Sequence, residues 1–104
     1  MSRPFYSEYV RHALRYYTRN YNPSADKHPP FKSNVDKCNW MSCHSVIQKY
    51  PDREKNIIIS VYGGLDTLAD EVYGVSKRYS INQNEVWDLL KDVEKRVATR
   101  RGLI

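Results

Sequence analysis

The sequence predicts an all-α fold: one domain over residues 1–104, with about five helices and a C-terminal helix-turn-helix. Three observations predict it. Apolar residues recur at helical spacing, a helix-start residue precedes most of those stretches, and the one run apolar enough for a buried strand, Ile57 to Tyr62, has no strand candidate to pair with. A chain of 104 residues is long enough to bury one core. The domain divides by composition into a basic helical part, 1–50, and a helix-turn-helix part, 51–104.

The first helix is predicted from Pro4, which suits a first helical turn because its missing N–H costs nothing there. Tyr6, Val10, Leu14 and Tyr17 then form an apolar stripe to about Asn20, with Arg11, Arg15 and Arg19 on another face. Residues 22–32 hold three of the five prolines and read as a loop. Ser33 with Asp36 resembles a capping box and starts a second helix, to about Lys49, with Trp40, Cys43, Ile47 and Tyr50 on one side. Pro51-Asp52 opens the third helix, whose early acids suit its dipole. Gly63-Gly64 is expected to end it through a left-handed glycine cap. Thr67 with Asp70, and Asn82 with Glu85, start the fourth and fifth helices as two further capping boxes. The fifth helix should reach about Arg100, with Val86, Leu89, Leu90, Val93 and Val97 on its core stripe.

Composition narrows the function classes. No apolar run approaches the ~20 residues that cross a bilayer. The opening residues show no unbroken apolar segment or small-residue cleavage site, so no signal peptide is expected. Two cysteines without such a signal suit a reducing, cytoplasmic setting. The net charge of +5 is uneven. Positions 66–94 hold seven acids against three bases, while Lys95 to Ile104 is purely basic, so the central segment is acidic between two positive ends.

The stretch Thr67 to Leu90 reads as two helices joined by a tight turn at Tyr79-Ser80-Ile81-Asn82. Val75 and Tyr79 suit a shared core, small Ser76 a close crossing, and Ile81 a plug for the turn. Such a pair is the device that places a second helix in the DNA major groove. Pro51 to Val97 resembles the promoter-reading region 4 of bacterial sigma factors. Asp52-Arg53-Glu54, followed by Ile57, Ile58, Val61 and Tyr62, matches that region's opening helix. Val75, Ser76, Tyr79, Ser80, Ile81, Asn82 and Val86 match the end of its helix-turn-helix pattern. Two departures stand out: about one extra helical turn between Thr67 and Val75, and Ser80 where the turn usually has Gly. Over nearly the whole chain, the opening SRPFYSEYVRHALRYY and the ending RRGLI resemble small proteins of phages and integrative elements of Gram-positive bacteria. The resemblance implies a transcriptional role and docking on RNA polymerase.

If the fifth helix enters a groove, its exposed early residues Gln83, Asn84, Trp87, Asp88 and Lys91 are the base-contact candidates. Gln and Asn bond adenine in bidentate fashion, and Lys reaches guanine or phosphate. Trp87 equally suits the core, and Glu85 and Asp88 would repel a polyanion. Phosphate-contact candidates are Arg11, Arg15, Arg19, Lys77, Arg78, Lys95, Arg96, Arg100 and Arg101. Tyr9, Tyr16 and Tyr17 interleave the first three and offer rings for stacking on unpaired bases. The expected partner is double-stranded DNA, with affinity raised by a homodimer or by tethering to RNA polymerase. The competing reading is a small interaction factor or inhibitor that uses the same helix pair to bind a protein, which the acidic 66–94 segment favours.

Other chemistry is not expected. Cys38 and Cys43 lie within one helix at a spacing that separates them round its axis, and with His44 and His28 they do not make a zinc site, so buried thiols are expected. His12, His28 and His44 are scattered, Gly63-Gly64 is followed by no Gly-Lys-Ser/Thr, and Asp66, Asp70 and Glu71 suit a helix N-terminus. No enzyme activity, cofactor or metal is expected.

Overall fold

A computed structural model describes residues 4–21 and 30–104, over which the chain forms five α-helices and no strand. They are α1 (Ser7–Arg19), α2 (Asn34–Ile47), α3 (Asp52–Gly63), α4 (Leu68–Tyr79) and α5 (Gln83–Arg101). Each lies where periodicity and capping place it, within three residues at the ends. His28 and most of the 22–32 segment fall outside the described residues.

The apolar stripes meet in one core. Val10, Leu14 and Tyr17 of α1 join Ile47, Ile58, Tyr62, Val72, Val75, Val86, Leu90 and Val93, all buried. Helix α5 packs against all four others, and α1 against α2, α3 and α5. The Cα radius of gyration is 13.3 Å, what a single domain of this length has (about 13 Å). Helices α2 and α5 run antiparallel. Near the start of α2, Asn39 Oδ1 accepts from Arg101 Nε at 2.7 Å; just past its end, Tyr50 Oη donates to Asp92 at 2.6 Å. No helix among the described residues is long and apolar enough to cross a membrane.

The helix starts follow the capping logic with one correction. Ser33 Oγ accepts from Asp36 N, and Thr67 Oγ1 from Asp70 N. Asn82 Oδ1 accepts instead from Asn84 N at 2.7 Å, while Glu85 N bonds the Asn82 carbonyl. The amide oxygen takes the second helical N–H, and the Asn82 carbonyl takes the third. Helix α1 starts at Ser7, three residues after Pro4.

The helix ends bring a second correction. Gly64 leaves α3 extended (φ −71°, ψ 162°) rather than left-handed. Its lack of a side chain serves close packing, since a Cβ there would lie 1.8 Å from the Glu71 carboxylate. The left-handed caps fall elsewhere. Gly102 ends α5 at φ 82°, and Ser80 ends α4 at φ 55° as the one described non-glycine residue with positive φ. At each, two backbone N–H groups return to the last turn: Ser80 N to Lys77 O and Ile81 N to Ser76 O; Gly102 N to Thr99 O and Leu103 N to Ala98 O. Ile81 and Leu103 then pack against the core, which completes the Schellman pattern.

One buried charge fixes how α5 sits. Glu94 is 4% exposed. Its Oε2 accepts from Tyr62 Oη of α3 and from Arg11 Nε of α1 at 3.0 Å. Three helices are thereby held in one register by a carboxylate that has no other way to satisfy its charge.

Candidate nucleic-acid interface

The α4–α5 junction is built by the turn. With Ser80 left-handed and Ile81 half-buried against the core, the chain reverses within Ser80–Asn82 and offers the first turn of α5 to solvent. Gln83, Asn84 and Glu85 are exposed there, as are Asp88 and Lys91 further on. Trp87 is half-buried and packs against the core, so only its edge belongs to the surface. Lys77 and Arg78, in the last turn of α4, are exposed beside this end. A shallow hollow between them is lined by Ser76, Lys77, Ser80, Ile81, Asn82 and Gln83. Lys77 Nζ lies 5.4 Å from the centre of the Tyr73 ring.

The other basic candidates separate into free and committed groups. Lys95 and Arg100 are exposed on the C-terminal half of α5. Arg96 is 55% exposed, with Nε 3.0 Å from Asp92 Oδ2 and its guanidinium over the Tyr50 ring. Arg101 is half-buried and donates to Asn39. On α1, Arg11 is committed to Glu94, Arg15 is half-buried and close enough to act on the Tyr62 phenol, and Arg19 donates to Gly64 O at 3.3 Å. The arginine stripe of α1 is therefore partly structural. Of its interleaved tyrosines, Tyr17 is fully buried, Tyr16 half-buried and Tyr9 42% exposed.

Tyr17 anchors an aromatic cluster against α2. Trp40 and His44 stack at 4.7 Å between ring centres and 12° between planes, and Tyr17 meets Trp40 at 5.2 Å. Gln48 Nε2 donates to Tyr17 Oη at 3.4 Å, and Tyr17 Oη shares a hydrogen bond with His44 Nδ1 at 2.8 Å. Burial, then the charge of Lys55, pushes the His44 pKa down, while burial pushes the Tyr17 phenol up to about 12. Both shifts favour the neutral forms, in which the two rings pack with Trp40. Burial also pushes the Cys43 thiol up to about 12. Cys38, expected to be buried, is exposed, because it falls on the solvent side of α2. Among the described residues no three His, Cys, Asp or Glu side chains converge to hold a metal ion.

Glu94 and Asn39 are the polar residues the sequence reading missed. Glu94 lies between Leu90 and Ala98 at i+4 and i−4, on the edge of the core stripe, and that spacing was the available signal. No family model, curated protein or solved structure matches this chain.

Proposed function

We propose that this chain is a DNA-binding transcriptional regulator that reads the major groove with the N-terminal half of α5, in the manner of sigma region 4. The observation that carries the reading is the α4–α5 junction. A three-residue turn closed by a left-handed residue presents two exposed amides, Gln83 and Asn84, beside two exposed cations, Lys77 and Arg78. Amides at the start of a helix suit adenine edges, and flanking cations suit phosphates. Lys91 continues the reading face. Lys95, Arg96 and Arg100 supply cations further along α5, which is about 28 Å long at ~1.5 Å per residue. From the sequence resemblance alone, we further propose that it regulates a mobile element and works in the cytoplasm. One such junction reads few base pairs, so a second copy or RNA polymerase supplies the remaining affinity.

Selection from a random duplex library, followed by salt titration, tests this. One enriched motif is expected, with binding by Gln83→Ala/Asn84→Ala weakened on that motif by about 1–3 kcal/mol and Arg100→Ala lowering the salt slope by about one for all sequences. Failure to enrich any motif would overturn it for the protein alone. Exposed Glu85 and Asp88, beside those amides, favour a second reading in which the same end binds a protein. That reading is supported if duplex DNA is not retained at ~150 mM salt.

A further inference from the structure

Two other surfaces hold large apolar side chains in water, and they differ in charge. The first is the groove between antiparallel α2 and α5. One hollow, of about 480 Å³, is lined by Val46, Lys49, Lys95, Arg96 and Arg100 among others. Through Ser45 and Arg100 it continues into a second, of about 430 Å³, walled by Cys38, Trp40 and Met41. Each is the size of a pocket that encloses a small ligand. The acid in the first hollow, Asp92, is already engaged by Tyr50 and Arg96, so the groove is cationic. Met41 is 53% exposed beside it, with Val35 (51%) further along α2.

The second surface is the lead into α4 and its outer side. Leu65 is 91% exposed and Tyr73 53% exposed, with Asp66, Ala69 and Asp70 exposed between them. Helix dipoles favour acids at the start of α4 and bases at the end of α5, but they give no reason to leave a leucine almost wholly in water. The groove has a basic border, whereas the Leu65–Tyr73 face carries Asp66 and Asp70 along its length, with Lys77 over the Tyr73 ring and Arg19 at Gly64 O on its edges.

We infer that these surfaces bind each other between copies of the chain: the acidic Leu65–Tyr73 face of one molecule seats in the α2/α5 groove of the next. Leu65 and Tyr73 occupy the apolar hollows, and Asp66 and Asp70 meet Lys95, Arg100 and Lys49. The contact joins unlike faces, so it is heterologous and builds a ring or an open chain rather than a closed two-fold pair. It uses neither Gln83 nor Asn84 and does not depend on the DNA-reading proposal, but it shares Lys95, Arg96 and Arg100 with that proposal, so the two partners would compete for the same cations.

Sedimentation velocity without DNA, from about 1 μM to about 1 mM protein, reads the association. The average mass should grow with concentration past the dimer, and shrink in about 1 M salt, where charges act over only ~3 Å. Two variants, checked for native helical content, locate the faces: Lys95→Glu/Arg100→Glu in the groove and Asp66→Lys/Asp70→Lys on the acidic face. Each alone should be monomeric. Mixed, they should associate again, because each keeps the face the other lacks and the two reversed faces carry opposite charge. Leu65→Ala, which changes no charge, should weaken association on the order of tenfold. A wild type that stays monomeric at every concentration overturns the inference, as does growth that persists in either charge variant or a mixture that fails to pair. A monomeric wild type whose groove binds polyglutamate or a duplex oligonucleotide, with the binding lost in Lys95→Glu/Arg100→Glu, also overturns it and assigns the groove to a different anionic partner.

Discussion

Helix α5 carries two triads of the same composition, a carboxylate with a tyrosine and an arginine, two residues apart in sequence and opposite in character. Asp92 takes a hydrogen bond from Tyr50 and forms an ion pair with Arg96; Glu94 takes hydrogen bonds from Tyr62 and Arg11. Both arginines place Nε at 3.0 Å. The Asp92 and Arg96 side chains are 46% and 55% exposed, whereas those of Glu94 and Arg11 are 5% and 19% exposed. Equal distances therefore carry unequal consequences. Water competes for the first triad and screens it, while the second stands between helices where an unmatched charge has nowhere to go.

The largest difference should appear on removing the arginines. Arg11→Ala strands the Glu94 charge and should cost about 3 kcal/mol, the low end for a buried pair because Arg11 keeps some solvent contact. Urea unfolding measures it, and a loss below about 1 kcal/mol, the ceiling for exposed pairs, would erase the contrast.

A smaller effect is expected at the tyrosine. Tyr62→Phe removes one partner of a buried charge and should cost about 1–3 kcal/mol near neutral pH. It also alters the alkaline limb. Burial first, and then the Glu94 charge and hydrogen bond, hold the Tyr62 phenol well above its ordinary range. Its folded pKa exceeds the unfolded value near 10, so the stability it contributes is complete below about pH 10 and is lost as pH rises toward the folded value. Tyr17, pushed up to about 12, behaves alike. Tyrosinate absorbance should therefore lag for these residues and rise together with the loss of helix by circular dichroism, and Tyr62→Phe should unfold less steeply above pH 10. Ionisation of every tyrosine before any loss of helix would contradict the burial argument.

The smallest effect belongs to the exposed triad. Asp92→Asn should change stability by no more than about 1 kcal/mol and lose that effect in high salt. A larger, salt-insensitive loss would mean that Tyr50 and Arg96 hold α2 against α5 as firmly as Glu94 holds α1 and α3.

The same contrast explains what could be read from the chain. Asp92 and Arg96 are i, i+4 neighbours, a pairing visible in any helical sequence. Glu94 and Arg11 are 83 residues apart, and only packing brings them together. The helices themselves were legible because Ser33, Thr67 and Asn82 cap by local hydrogen bonds, and because Val86, Leu90, Val93 and Val97 declare a stripe. Gly63-Gly64 misled, since glycine serves both left-handed caps and close approach, and the sequence does not say which. The fold left Gly64 extended, close to the Glu71 carboxylate. The arginines of α1 misled in the same way. A basic stripe looks free until a buried acid from a distant helix claims one of its members.

By itself, the sequence determined five helices, their ends within a few residues, and a turn at Tyr79–Asn82 between the last two. Those outcomes depend on hydrogen bonds and periodicities spanning a handful of residues. Tertiary structure alone decided which charges remain available. It buried Glu94 with Arg11, tied Arg101 to Asn39, left Gln83, Asn84, Lys95 and Arg100 exposed, and aligned α2 with α5 into a cationic groove. A side chain's charge is written in the sequence, but its freedom depends on desolvation and on partners brought close only by packing.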